Sequence, residues 1–185
     1  MHTPALALPY PSLKDSRPTA GKVVVVNGGS SSVGSVTTQL AAAAGIHVIT
    51  VVDHKHPFLV ENVVEAIRRS EQESAGIADA ISISDTIATD LEIFGHLGGG
   101  HFALTHPHMG KEVVPDSIEI GMIWSGGVNE ITGPVWRACI GAALEFGKLK
   151  YLPPPSVVGK GLEHIQEVLK LSKAGVSGTG LVVEL

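Results

Sequence analysis

Apolar and polar positions first separate clearly at Lys22–Val52. Val23–Val26 form an unbroken apolar run with strong β preference, and the run breaks into Asn27-Gly28-Gly29-Ser30-Ser31-Ser32-Val33-Gly34. Val33, Val36, Leu40, Ala43 and Ala44 then recur at helical spacing, Gly45 stops the helix, and a second β-rich run covers His47–Val52. Strand, glycine turn, helix and strand make one βαβ unit. Such a turn brings backbone N–H groups and a helix N-terminus to one point, where a phosphate can sit.

The pattern continues in the same alternation. Pro57 suits a first helical turn, and Val60, Val63, Val64 and Ile67 line one face of a helix over Pro57–Ser70. Ile77–Ser84 reads as a third strand, Thr86–Leu97 as a helix ended by Gly98-Gly99-Gly100, His101–Thr105 as a fourth strand and Ile118–Trp124 as a fifth. Glu130–Gly147 is a helical stretch with Val135, Cys139, Ala142, Ala143 and Phe146 inward. Pro153-Pro154-Pro155 reads as a rigid spacer, Lys160–Ala174 as an amphipathic helix and Leu181–Leu185 as a last strand. Pro4, Pro9, Pro11 and Pro18 rule out a regular helix or inner strand near the start. The chain thus divides into a proline-rich lead-in over 1–21, a Rossmann-like domain over 22–150 and a C-terminal helix and strand over 151–185.

Alternating strands and helices give an α/β, doubly wound parallel sheet of five to six strands. Right-handed crossovers place every strand's carboxyl end on one rim, where ligands of open α/β sheets bind. The residues expected there are Asn27–Gly29, Asp53–His56, Ser82–Ser84, Thr105–His108 and Trp124–Gly127.

Composition narrows the partners. The 185 residues are 44% hydrophobic and 17% charged, with a net charge of −5, which argues against nucleic acid or an anionic membrane surface. No apolar run approaches membrane-spanning length, and no signal peptide is legible, so a cytoplasmic protein is expected. One cysteine, Cys139, excludes an internal disulfide and suits core packing. A mean hydropathy of +0.27 points to an apolar face covered by a second copy, hence a homodimer.

The segments GKVVVVNGGSSSVGSVTTQLAAAAGIHVIT, ADAISISDTI, LGGGHFAL and the final stretch from WRACIGAALEFGKLKYLPPPSVVGKG onward resemble the medium-chain dehydrogenase/reductase superfamily. The match is to its zinc-independent enoyl-reductase and quinone-reductase-like branch, including trans-acting enoyl reductases of fungal polyketide pathways. That resemblance implies a fold in which a GroES-like catalytic domain and one edge βα unit are absent from this chain. Only His54–Val60 lies where the family places a further helix and strand. Removing that edge strand from the order 3-2-1-4-5-6 leaves 2-1-4-5-6, which is flavodoxin-like when renumbered. The family's cofactor groove maps onto Gly29, Ser31, Ser32, Val33, Gly34, Asp53 and Ser82, with serine at Ser31 in place of the middle glycine. A carboxylate such as Asp53 favours NAD over NADP, while Lys55 pulls the other way.

Histidines are the unusual candidates. His54, His56, His106 and His108 are expected at the rim, and imidazole can give and take a proton near neutral pH. The candidate catalytic set is His106, His108, His54 and Asp53. Solvated loop histidines are the plainer alternative, and no complete metal-ligand pattern is present. Three functions follow. One is a small-molecule enzyme of polyketide-type secondary metabolism, derived from an NAD(P)-dependent enoyl reductase and repurposed for isomerisation, dehydration or cyclisation of a small apolar substrate. A second is an NAD(P)-dependent reductase of an enone or quinone. The third is a non-catalytic ligand-binding or scaffold module.

Overall fold

The computed structural model describes residues 20–107, 113–123, 132–176 and 178–185. The expected rim residues His108, Trp124 and Ser125–Gly127, and nearly all of the proline-rich lead-in, lie outside the described residues. Five strands form one parallel sheet: β1 (Lys22–Asn27), β2 (His47–Val51), β3 (Glu73–Asp79), β4 (Gly100–Leu104) and β5 (Ile118–Met122). Their order is β2-β1-β3-β4-β5, the renumbered order expected after loss of the edge strand. The fold is Rossmann-like.

β1 is central because both of its faces are apolar. Val23 and Val25 belong to one core with Ile77, Phe94, Phe102 and Leu104, while Val24 and Val26 belong to another with Ala41, Ala44, Ile46 and Ala75. A strand covered on both faces needs a continuous apolar run, not an alternating one. The helices fill these two layers. α1 (Ser32–Ala43) covers the second core through Ala41; α2 (Leu59–Ser70) and α3 (Ser84–Leu97) cover the first through Val63, Val64, Ile67, Ile87 and Ile93. Phe94 and Phe102 meet edge to face with ring centroids 5.4 Å apart.

Two expected boundaries move. β3 runs Glu73–Asp79 instead of Ile77–Ser84. Its first residues are polar or small, so they carry no apolar signal, yet they pair with β1 from Lys22↔Glu73 onward. It ends early because Asp79 turns its own carboxylate onto the chain ahead: Oδ1 accepts the amides of Ile81 and Ser82, each at 2.8 Å. A side chain that binds the backbone two and three residues on ends an extended run. Ser82 accordingly sits at φ +54°.

The second correction is at the C-terminus. Pro155 opens a strand, β6 (Pro155–Lys160), and only Ile165–Ala174 of the expected helix is α-helical, as α6, after a 3₁₀ turn at Leu162–His164. β6 pairs in parallel with β7 (Gly180–Glu184), so this stretch is a small βαβ unit with its own two-stranded sheet. Before it come α4 (Thr132–Pro134), a π-helical stretch Val135–Ile140 that buries Cys139, and α5 (Gly141–Glu145). The chain then meets α1. Gln39 accepts the Lys150 amide at 2.7 Å and donates to the Lys150 carbonyl at 3.2 Å, and the Ser35 hydroxyl donates to the Leu152 carbonyl at 2.7 Å.

Candidate functional site at the carboxyl rim

In this order the chain leaves β1 toward β2 on one side and β3 toward β4 on the other. The switch point therefore lies between the carboxyl ends of β1 and β3, where open α/β sheets hold their ligands.

The glycine turn builds one lip of that crevice. Gly28 has φ +78°, a conformation that L side chains rarely adopt. A Cβ on Gly34 would collide with the Gly28 carbonyl, so the third glycine lets the first turn of α1 press against the turn. The amides of Gly28 and Gly29 both donate to the Val51 carbonyl at 2.9 Å, which fastens the turn to β2. Those two N–H groups are therefore spent inside the protein. Ser31 is the helix N-cap: its hydroxyl accepts the Gly34 amide at 3.0 Å. The intrahelical ladder begins with Ser35 donating to the Ser31 carbonyl, so Ser32 and Val33 have no intrahelical acceptor. These two amides, with the positive end of the helix dipole, are available to an anion. The turn fits the pyrophosphate of a dinucleotide in this narrower form. Ser31 stabilises the helix start by the same bond that withdraws one amide.

The remaining candidates spread along the rim. Asp53 is exposed just after β2, and its Oδ1 accepts the Lys55 amide at 3.0 Å. His54 is half-buried beside it; His56 is exposed, with Nδ1 accepting the Phe58 amide at 3.2 Å. His106 is exposed after β4, its Nδ1 3.4 Å from the Thr105 hydroxyl. β1 and β3 separate the β2 end from the β4 end. Three strand spacings amount to ~14 Å, so Asp53 and His54 stand on one side of the switch point and His106 on the other. They share a rim but do not form an acid–base pair. Among the described residues, no group of three or more His, Cys, Asp or Glu could hold a metal ion.

Ser82 faces inward. Its hydroxyl donates to the Asp79 carbonyl at 2.8 Å and accepts the Thr105 amide at 2.9 Å, linking the loop after β3 to the loop after β4. Beneath it lies a polar cluster that periodicity did not single out: Asn27, Asp79, Thr86 and Asp90, all 1% exposed or less. Thr86 donates to Asp79 Oδ2 at 2.6 Å, and the Asn27 amide donates to Asp90 Oδ1 at 3.1 Å. Burial, and then the charge of neighbouring Asp79, pushes the Asp90 carboxyl well above the usual carboxylate range. The signal was present in the sequence: Asp90 follows Ile87 by three residues and precedes Phe94 by four, so a carboxyl sits on the apolar face of α3.

Comparison with known proteins agrees with this architecture. No family model matches the chain. It is 52% identical to the dehydrogenase orsE of Emericella nidulans over 99% of its own length and 56% of that protein. It is 32% identical to the trans-enoyl reductase himH of Aspergillus japonicus, over 97% of this chain and again 56% of the relative. The chain thus spans just over half the length of the curated relatives it matches. Among solved structures, CurA of Vibrio vulnificus in complex with NADPH superposes with a TM-score of 0.60 at 16% identity, covering 90% of this chain and 58% of that one. The CurF ER cyclopropanase of the curacin A pathway gives 0.58 at 16% identity, over 90% and 55%. The chain is thus similar along nearly its whole length to fungal proteins named as a dehydrogenase and a trans-enoyl reductase, and it shares its Rossmann-like fold with the two solved structures.

Proposed function

We propose that this chain is the dinucleotide-holding portion of an NAD(P)H-dependent reductase of fungal secondary metabolism, of the enoyl-reductase kind. The observation that carries this reading is the turn at the switch point, with Ser32 and Val33 amides open beside a helix N-terminus that Gly34 lets approach. In the reading, pyrophosphate rests on those amides and Asp53, one strand away, meets the adenosine ribose. A bound nicotinamide would supply hydride. The chain's own part is to hold and orient it, while the wall that excludes water from an apolar substrate comes from outside residues 20–185. Names of relatives support it: a dehydrogenase and a trans-enoyl reductase match along nearly the whole chain. A cofactor-free acid–base isomerase or cyclase is less favoured, because Asp53 and His54 lie ~14 Å from His106 across the sheet.

Calorimetric titration with NADH and NADPH tests this directly. Saturable one-to-one binding of either is expected, and Gly34→Val should abolish it while the circular dichroism stays helical and stranded. Absence of heat with both nucleotides, together with no shift in melting temperature, would overturn the reading.

A further inference from the structure

The buried cluster beneath the crevice has a hydrogen-bonding deficit that points to one proton. Asp79 accepts two amides on Oδ1 and the Thr86 hydroxyl on Oδ2, and its carboxylate also lies within hydrogen-bonding reach of the Asp90 side chain. Asp90 accepts one bond, from the Asn27 amide, and two oxygens are left over, Asp90 Oδ2 and Asn27 Oδ1. Both are acceptors if Asp90 is ionised, and an orphaned buried acceptor is costly. A carboxylic acid facing a primary amide makes two bonds, one in each direction, and uses up both oxygens.

We propose that Asp90 is held as the neutral acid, its Oδ2–H donating to Asn27 Oδ1, and that it is a positioning residue joining the glycine turn to the loops after β3 and β4. The linkage is continuous, because Asn27 bonds Asp90 and the Asp90 side chain in turn reaches Asp79. Asn27 is the last residue of β1 and precedes Gly28. Asp79, at the end of β3, holds the amides of Ile81 and Ser82, and Ser82 holds the amide of Thr105. The ends of three strands are thereby locked to one another below the rim. The groups facing Asp90 are Asp79 from β3 and the neutral Asn27 amide from β1; α2 contributes Val63, Val64 and Ile67 to the core on this side of the sheet. The raised ionisation of Asp90 agrees with the neutral form, since a second buried negative charge beside Asp79 is disfavoured.

The sign of the pH effect follows. A carboxyl raised in the folded state contributes stability that is complete below its unfolded value, about pH 4, and is lost as pH rises through the folded value. The wild type should therefore weaken on the alkaline side, and Asp90→Asn, which keeps the two-way pairing without an ionisable proton, should not.

The test is carboxyl-carbon NMR on protein labelled at aspartate, followed from about pH 5 to about pH 9, above the ordinary carboxylate range. One resonance should remain in the protonated position after the others have ionised, and it should vanish in Asp90→Asn. The amide signals of Ile81, Ser82 and Thr105 should move with the same midpoint in the wild type and stay fixed in the variant. If every aspartate is ionised at the start of that range, the neutral acid is refuted. If the resonance persists but those three amides ignore it, the positioning role is refuted. Both readings come from the wild type alone should the variant not fold.

Discussion

The first and the last βαβ units of the described residues are built to opposite standards. The first, β1–α1–β2, has Val23–Val26 at 0–1% exposure at the centre of a five-stranded sheet, with helices on both faces. The second, β6–α6–β7, is a sheet of two strands. Its helix has no buried residue, and Leu162 and Leu169 are 66% and 56% exposed. The same alternation of strand and helix produces both. What differs is cover. A two-stranded sheet with one helix removes too little apolar area from water to stand alone, and the relatives continue for close to half their length beyond what this chain spans. The sequence pattern declares which face of an element is apolar, not what will lie against it.

Substitutions can break or sharpen this contrast. The largest effect is expected at Phe94→Ala in the body. It removes a side chain 1% exposed and its edge-to-face contact with Phe102, and should cost about 3–5 kcal/mol in urea unfolding. A loss below about 1 kcal/mol would mean that the body's core is not close-packed. Ser31→Ala should be intermediate, at about 1 kcal/mol, because it deletes the cap on Gly34. The smallest effect is expected in the second unit: Leu169→Ser on the exposed side of α6 should stay within about 0.5 kcal/mol. A cost several times larger would show that Leu169 is covered in solution, and that the two units differ only in where their cover comes from.

Much of the body was legible because its signals are local. A run of four valines announces a doubly covered strand, whereas the strand order β2-β1-β3-β4-β5 is the one that the resemblance implies once its edge strand is lost. The misplaced boundary of β3 has a different origin. Glu73–Gly76 pair through their backbone, to which apolar periodicity is blind, and Asp79 stops the strand with its side chain. β6 was hidden behind the proline run, although Pro155 occupies a first strand position, where proline is tolerated. At the rim, His54, His56 and His106 follow the carboxyl ends of β2 and β4. Shared height on a sheet says nothing of lateral distance, and the intervening β1 and β3 keep His54 from His106. Spacing places Asp90 on the inward face of α3 without explaining why a residue there should carry a carboxyl.

The join between α1 and the segment leading to the second unit carries a consequence of its own. Gln39 meets Lys150 through its carbonyl and amide, as a neighbouring strand would, and Ser35 meets Leu152 through its carbonyl. Such a latch reads main chain and is indifferent to the letters written at 150 and 152. Drift at those two positions leaves it shut, whereas a single change at Gln39 removes a donor and an acceptor together. The constraint on how the two units are joined is therefore recorded in the helix that receives the segment, more than a hundred residues away from the segment itself.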